Sequence, residues 1–333
     1  MNENAEVKER EQVSRRSHFG RRKKKSSQKS FRREALVFCY LCMIIPLLQW
    51  LVFWLYVNIQ TIMLAFKNPL TNEWDLTINY EWLWRTQIDI DPESYRYGSS
   101  IMQAFKNTMT FFGIAVFFTL PMSVIISYFI YKKIWGYKLF RLAFYLPAVL
   151  PAIVMTTVFQ QVTQNGGIID KIFGGVPLEG LLNNKDTAFG ALIGFVLIQS
   201  YTTNVLLFSG GMARIPMEVI EAAKLDGCGP FQEILFLIIP LIWPTVTTQI
   251  ILAFTNMFNG GGPVLLLTQG KYGTTNLNYW LFNQIAGDGT SAIPDGGPGP
   301  YRVSAVGLAL TAIAVPTILL VRKIFEKVEA VEY

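Results

Sequence analysis

Side chains that ordinarily carry chemistry are scarce in this chain, and their positions limit what they can do. The single histidine, His18, stands in a basic stretch near the start, so a metal or proton-transfer site built on imidazoles is excluded. Three cysteines cannot make a disulfide framework. Cys39 and Cys42 are spaced C-x-x-C but lie beside Tyr40 and Leu41 in an apolar run, where core packing is expected rather than redox or zinc chemistry. Nucleotide hydrolysis would need G-x-x-x-x-G-K-[S/T]. Gly270–Lys271, the sole Gly-Lys pair, has Leu265 in place of the first glycine and Tyr272 in place of the hydroxyl residue. Glu73, Asp75, Glu81, Asp89, Asp91 and Glu93 lie close in sequence but show no metal-ligand spacing, which leaves little for a membrane-embedded transferase.

Neutral hydrogen-bonding groups set in apolar sequence are plentiful. Gln160 and Gln161 accompany Thr156, Thr157 and Gln164; Gln199, Tyr201 and Asn204 accompany Ser200, Thr202 and Thr203; Gln249, Asn256 and Asn259 accompany Thr245, Thr247, Thr248 and Thr255. An amide without a partner in hydrocarbon costs several kcal/mol, so these groups must meet each other, water or a ligand. Packing between helices is one reading. As a set they suit a neutral, hydroxyl-rich solute such as a sugar, with Phe159, Tyr201 and Phe258 available to stack on its rings. The candidate solute cavity is therefore Gln160, Gln161, Gln199, Tyr201, Asn204, Gln249, Asn256 and Asn259.

The elements that must position these residues follow from the distribution of charge. Of 333 residues, 51% are hydrophobic and 16% charged, and the mean hydropathy is +0.33. Runs without any charge occupy 35–66, 107–131, 142–169, 187–213, 234–270 and 303–321. A helix crosses a bilayer core with roughly 20 apolar residues. The fold class is accordingly all-α, a polytopic membrane protein with six transmembrane helices near 36–57, 108–130, 142–162, 188–209, 234–257 and 303–321. A soluble enzyme, a nucleic-acid factor and a secreted disulfide domain are excluded, because a chain of this length cannot enclose so much uncharged surface in water. None of the six runs contains Asp, Glu, Lys, Arg or His. That argues against an ion-coupled carrier or charge-selective channel working alone.

With the N-terminus in the cytoplasm, the loops and tails on that side hold 21 Lys and Arg and the opposite side holds 8, so both termini are expected to be cytoplasmic. The tail 1–34 includes Arg21 to Lys25 in succession and is expected to be disordered, anchoring orientation at anionic lipid rather than binding nucleic acid. The span at 35–66 is too long for a signal peptide and is expected to remain uncleaved. The loop 67–106 is expected outside, with Trp74, Trp82 and Trp84 at the membrane surface. Prolines 121, 147, 151, 240, 244 and 316 predict bent helices, and 286–300 reads as an exposed Gly/Pro-rich loop. The core is expected over 107–325, followed by a short cytoplasmic C-terminus, 326–333.

The segment 211–233, between the fourth and fifth spans, is the most specific. Pro216 suits a first helical turn, Glu218 and Glu221 favour the positive end of a helix, Gly227 can take the left-handed conformation that ends one, and Pro230 can start the next. A helix over about 216–226, roughly 15 Å long, is predicted, then a sharp turn and a second helix entering the membrane. Its acids (Glu218, Glu221, Asp226, Glu233) outnumber Arg214 and Lys224, unlike a basic helix lying on lipid.

Glu221, Ala222, Ala223, Asp226, Gly227 and Pro240, with Leu237 and Ile239 before that proline, resemble the cytoplasmic motif of permeases of bacterial type I ABC importers. FRLAFYLPAVLP at 140–151 and FNGGGPVLLLT at 258–268 are similar to segments of the carbohydrate-uptake branch, while Cys228 stands where an alanine is common. The resemblance covers about 100–325. It implies that Pro216, Glu221, Ala222, Ala223, Asp226, Gly227 and Pro240 couple the chain to a separate ATPase. It also implies a second, different permease, two cytoplasmic ATPase subunits carrying ATP and Mg, an extracytoplasmic solute-binding protein and a bacterial plasma membrane location. The chain itself would bind no cofactor and catalyse nothing, moving a neutral carbohydrate (sugar, oligosaccharide or glycerol-phosphate-like solute) inward. Amino acid and peptide importers share the motif, so solute class rests on the finer resemblance and the uncharged spans.

Overall fold

A computed structural model describes residues 35–84, 101–258, 262–286 and 299–327. The basic tail, Asp89, Asp91, Glu93, Asn259, residues 328–333 and most of the Gly/Pro-rich stretch lie outside the described residues. Among the described residues, the β pairing is one isolated bridge, Lys67 with Trp74. The rest of the regular structure is helical, as expected where hydrocarbon offers the backbone no partner and each segment must satisfy its own carbonyls. The chain divides between Met63 and Leu64 into two units, described separately.

The described part of the first unit is helical throughout and belongs to α1, Ala35–Ala65, which runs on past the predicted end of the first span. Its stretch Trp50–Tyr56 adopts the wider π winding, with the rings of Trp50 and Trp54 stacked at 5.2 Å. Cys39 and Cys42 are free and exposed, not packed in a core. A span can present such residues to hydrocarbon at no cost, which a water-soluble helix could not.

In the second unit, α2 (Ile78–Trp82) lies in the loop before α3 (Ile101–Tyr131). Next come α4 (Tyr137–Val149), α5 (Ala152–Thr163) and α6 (Ile168–Phe173), and then α7 (Ala188–Met212). The short α8 (Met217–Leu225) leads to α9 (Pro230–Leu241) and α10 (Trp243–Asn256). Helices α11 (Gly262–Leu267), α12 (Leu277–Ala286) and α13 (Gly299–Phe325) complete the described chain.

Among the described residues four helices, α1, α3, α7 and α13, are individually long and apolar enough to cross a membrane, and two bent pairs raise the count to six if each is one crossing. The bends fall in the spans predicted at 142–162 and 234–257, where prolines are expected to bend the helices. Helix α4 and the stretch Ala152–Phe173 diverge by 115°, with Leu150 and Pro151 extended between them. Pro151 has no N–H to continue the ladder and disfavours helical geometry at Leu150, so the helix must stop there. Helices α9 and α10 diverge by 76° at Ile242, which Pro240 and Pro244 flank. Pro121 follows a π-wound stretch, Ala115–Thr119, inside an otherwise continuous α3. Pro147 and Pro316 lie within helices that continue through them.

Two ends of this unit are held differently. At one end Leu120, Val124 and Tyr128 of α3, Phe208 and Met212 of α7, Ile220 of α8, and Ile234 and Ile238 of α9 form one buried cluster. At the other, Ile101 and Ala104 pack with Leu277, Trp280 and Val306. Polar bonds reinforce that second end. Asn107 donates Nδ2–H to the carbonyls of Gly273 and Thr275, both at 2.7 Å, and Thr108 Oγ1 accepts from the Leu277 N–H at 3.0 Å. The clamped turn is tight: Gln269, Gly270, Tyr272 and Gly273 all have positive φ. Nearby, the Arg302 guanidinium lies 4.4 Å from the Trp82 ring centre. In the loop before α2, Asp75 Oδ1 accepts from the N–H groups of Thr77 and Ile78, and these bonds hold its carboxyl below the usual aspartate range.

Replacing Asn107 with Leu strands two carbonyls and should lower stability by about 2–4 kcal/mol. Thermal unfolding of the detergent-purified protein is expected to show a clear drop in Tm for Asn107→Leu and almost none for Thr311→Val on the exposed side of α13.

Candidate functional site

Helix α8 is amphipathic with respect to its own protein. At 100° per residue, Val219, Ile220 and Ala223 share one side; Ile220 is 2% exposed and the other two are half-buried. Glu218, Glu221, Ala222, Lys224 and Leu225 turn outward. Ile220 seats the helix in the cluster shared by α3, α7 and α9. The helix is therefore a fixed protrusion, not a loose loop. Pro216 stands one position earlier than predicted, before the first turn, with φ −60° and ψ 140°.

The end of α8 is set by hydrogen bonds. The Cys228 N–H bonds the Ala223 carbonyl at 3.0 Å and the Gly227 N–H bonds the Lys224 carbonyl at 3.1 Å, the two bonds of a Schellman motif. Gly227 has φ +79°, and open space surrounds the place a Cβ would take. Its requirement is thus conformational and not steric. Helix α9 then starts at Pro230, with Gly229 N–H bonded to Gln232 Oε1 at 3.1 Å. Pro240, half-buried near the far end of α9, belongs to the bend at Ile242 and not to the exposed face.

The outward face thus carries Glu221, Ala222, Asp226 and Gly227 together, whereas Ala223 turns toward the body. Sequence reasoning missed two further residues. Leu225 is 90% and Met217 60% exposed, one at each end of the helix. Large apolar side chains on a segment rich in acids and protruding from the body suit an apolar socket on a partner. Their signal was available in the spacing, since Met217, Glu221 and Leu225 recur at intervals of four.

The candidate cavity residues are dispersed. Gln249 is 6% exposed; Gln199, Tyr201 and Asn204 are half-buried; Gln160, Gln161 and Asn256 are exposed, and Asn259 lies outside the described residues. Gln160 Nε2 donates to the Leu266 carbonyl at 3.3 Å. The hydroxyls have a different fate. Thr157, Thr202, Thr248 and Thr255 donate to carbonyls four residues back in their own helices, and Thr156 to one three back, so much of the polarity read as ligand-binding capacity is consumed locally. Gln199 Oε1, Ser209 Oγ and Thr247 Oγ1 are buried without a hydrogen-bond partner, leaving acceptors for water or a solute hydroxyl. An apolar cavity of about 390 Å³ lined by Val124, Tyr128, Phe208, Phe231 and Trp243 includes none of the candidate amides.

Residues 120–329, more than half of the chain, match the family described as binding-protein-dependent transport system inner membrane component, and the chain belongs to that family. It is a multi-pass membrane permease of the ABC importer class, a subunit without catalysis of its own.

Among similar proteins, MsmF, a multiple sugar-binding transport system permease of Streptococcus mutans, is 26% identical over 247 residues, 72% of this chain and 82% of MsmF. AraP, the arabinooligosaccharides transport system permease of Halalkalibacterium halodurans, is 24% identical over 221 residues, 64% of this chain and 66% of AraP. MalF, the maltose/maltodextrin permease of Escherichia coli, is 27% identical over 177 residues, 50% of this chain but 34% of the longer MalF. The fold is that of a chain in the crystal structure of a bacterial ABC transporter involved in import of the acidic polysaccharide alginate. The TM-score is 0.69 at 18% identity, with 90% of this chain and 98% of that one covered.

The helix end gives a direct test. A non-glycine residue in left-handed geometry costs about 1–2 kcal/mol, least for Asn. Gly227→Val should speed hydrogen exchange of the amides from Ala223 to Gly229 roughly tenfold, whereas Gly227→Asn should stay near wild type, with both proteins inserting normally.

Proposed function

We propose that this chain is one permease half of an ATP-driven importer in a bacterial plasma membrane, carrying a carbohydrate of the oligosaccharide class into the cell. A second, different permease completes the translocation path, and an extracytoplasmic solute-binding protein delivers the solute. Two ATPase subunits supply hydrolysis of ATP with Mg. Both termini and α8 face the cytoplasm. The observation that carries the reading is α8 itself: a helix anchored through Ile220 that presents Glu221, Ala222 and Leu225 outward.

The named relatives support the solute class, since MsmF, AraP and MalF all serve sugars or oligosaccharides. The charge-free spans favour a neutral solute over an anionic one, because an acidic polymer would call for basic side chains along its path. Gln199 and Gln249, turned inward on α7 and α10, supply amides on this half of the path. Alternation follows from a differential grip: ATP binding draws the ATPase subunits together, they displace α8, and the bent crossings shift between outward-open and inward-open arrangements.

Co-expression with the partner permease and ATPase subunits tests the reading. Leu225→Asp should reduce ATPase co-purification and ATP-driven oligosaccharide uptake at least tenfold, while membrane insertion stays normal. Vesicles holding this chain alone should show no uptake; proton- or sodium-driven uptake by the lone chain would overturn the proposal.

A further inference from the structure

Lys132, partly buried, and Glu233, buried, form an ion pair outside the candidate solute cavity and the exposed face of α8. Glu233 is 3% exposed, in the first turn of α9. Around it the cluster is apolar: Ile220, Ile234, Ile238 and Met212. Lys132 is the residue immediately after α3. Its Nζ lies 2.5 Å from Glu233 Oε1 and donates to Oε2 at 2.7 Å. The Tyr128 hydroxyl donates to the same Oε2 at 3.1 Å, and Lys132 Nζ stands 5.5 Å from the Tyr128 ring centre. Two groups from the end of α3 thus converge on one carboxylate of the distant α9.

Stability does not account for this arrangement. Desolvating a carboxylate and an ammonium costs about as much as their attraction returns, and an apolar pair of similar size is often as good or better. What a buried pair adds is direction. The surrounding Ile and Met contacts are indifferent to small slides, because apolar burial has no preferred angle. One hydrogen bond from Lys132, one from Tyr128 and the ion contact of Lys132 with Oε1 together hold a single register between the end of α3 and the start of α9.

That register matters because of the elbow beside it. Between Leu225 and Pro230 the chain turns through Asp226, Gly227, Cys228 and Gly229, with Gly227 at φ +79° and open space where its Cβ would stand. Left alone, such an elbow would bend when α8 is pushed, and the displacement would be absorbed there. With the first turn of α9 fastened to α3, a push on α8 moves α3 and α9 as one body.

We propose that Lys132 and Glu233 are positioning residues for coupling: they brace the α8–α9 elbow against α3, so that work done on α8 reaches the membrane helices. The inference rests on the importer function proposed above. No covalent step is involved, and the pair touches neither solute nor nucleotide.

The test uses the assembled transporter in proteoliposomes with its loaded solute-binding protein, measuring uptake and ATP hydrolysis in the same vesicles. Glu233→Gln and Lys132→Met are each expected to bind the ATPase and hydrolyse ATP within about twofold of wild type, while solute carried per ATP falls at least fivefold. The exchanged pair, Lys132→Glu with Glu233→Lys, should recover that ratio to within twofold. A role confined to stability would lower the yield of complex and both rates in parallel, and an unchanged ratio overturns the inference. If Glu233→Gln fails to assemble, Tyr128→Phe removes one hydroxyl only and should still reduce the ratio about twofold; no change would equally overturn it. Failure of the unaltered chain to bind any ATPase would instead remove the importer function, which separates the two claims.

Discussion

A peptide group inside hydrocarbon can bond only to another part of the chain, and each departure from a straight helix seen here respects that limit. At the 115° bend, the residue that cannot donate is Pro151, and its carbonyl accepts from the Met155 N–H at 3.1 Å as α5 begins. At the 76° bend, the Ile242 carbonyl accepts from the N–H groups of Thr245 and Val246. In α3 the ladder widens to π winding just ahead of Pro121 and does not break. Bends are therefore confined to places where proline or a widened turn already leaves a bond to be rearranged. This gives crossings that are angled yet internally satisfied.

The same economy applies at the protruding helix. A nine-residue helix on its own would ordinarily be mobile, being too short to hold helical geometry alone. Helix α8 avoids this by burying Ile220 among residues of three other helices and by closing its last turn with two backbone bonds. Packing inward through the Val219–Ile220–Ala223 side leaves the opposite side free for a partner. The two alanines of the motif thus divide their work. Ala222 keeps the outer face low, while Ala223 permits close approach to the chain's own body.

Much of this was legible in sequence because the signals are local. Charge-free runs fix where the chain can enter a membrane, and Gly227 with Pro230 marks a stop and a start that depend on backbone geometry alone. The 115° bend was not legible as an angle. Pro147 and Pro151 read alike in sequence, yet α4 continues through the first and ends before the second. Which proline breaks a helix is decided by whether neighbours can hold the freed carbonyl. Glu233 escaped for a related reason. Counted as one more acid in a polar loop, it lies 101 residues from Lys132, and only the packing of α3 against the α8–α9 elbow brings the two together.

The dispersal of the candidate cavity residues also has a physical reading. Threonines that bond back to their own helices are satisfied before any solute arrives, so they offer an incoming hydroxyl little. Amides cannot be satisfied so cheaply, because a side chain with two donors and two lone pairs exceeds what one helix turn supplies. Gln160, Gln161 and Asn256 are exposed in this chain, yet they lie in sequence too apolar to have evolved for water. A single chain that placed all of them inward would enclose a solute it could not release. Spread over half-buried and exposed positions, they suit the proposed function, in which one wall of a passage meets a facing wall from a second permease, and a passage made of two walls can open toward either side.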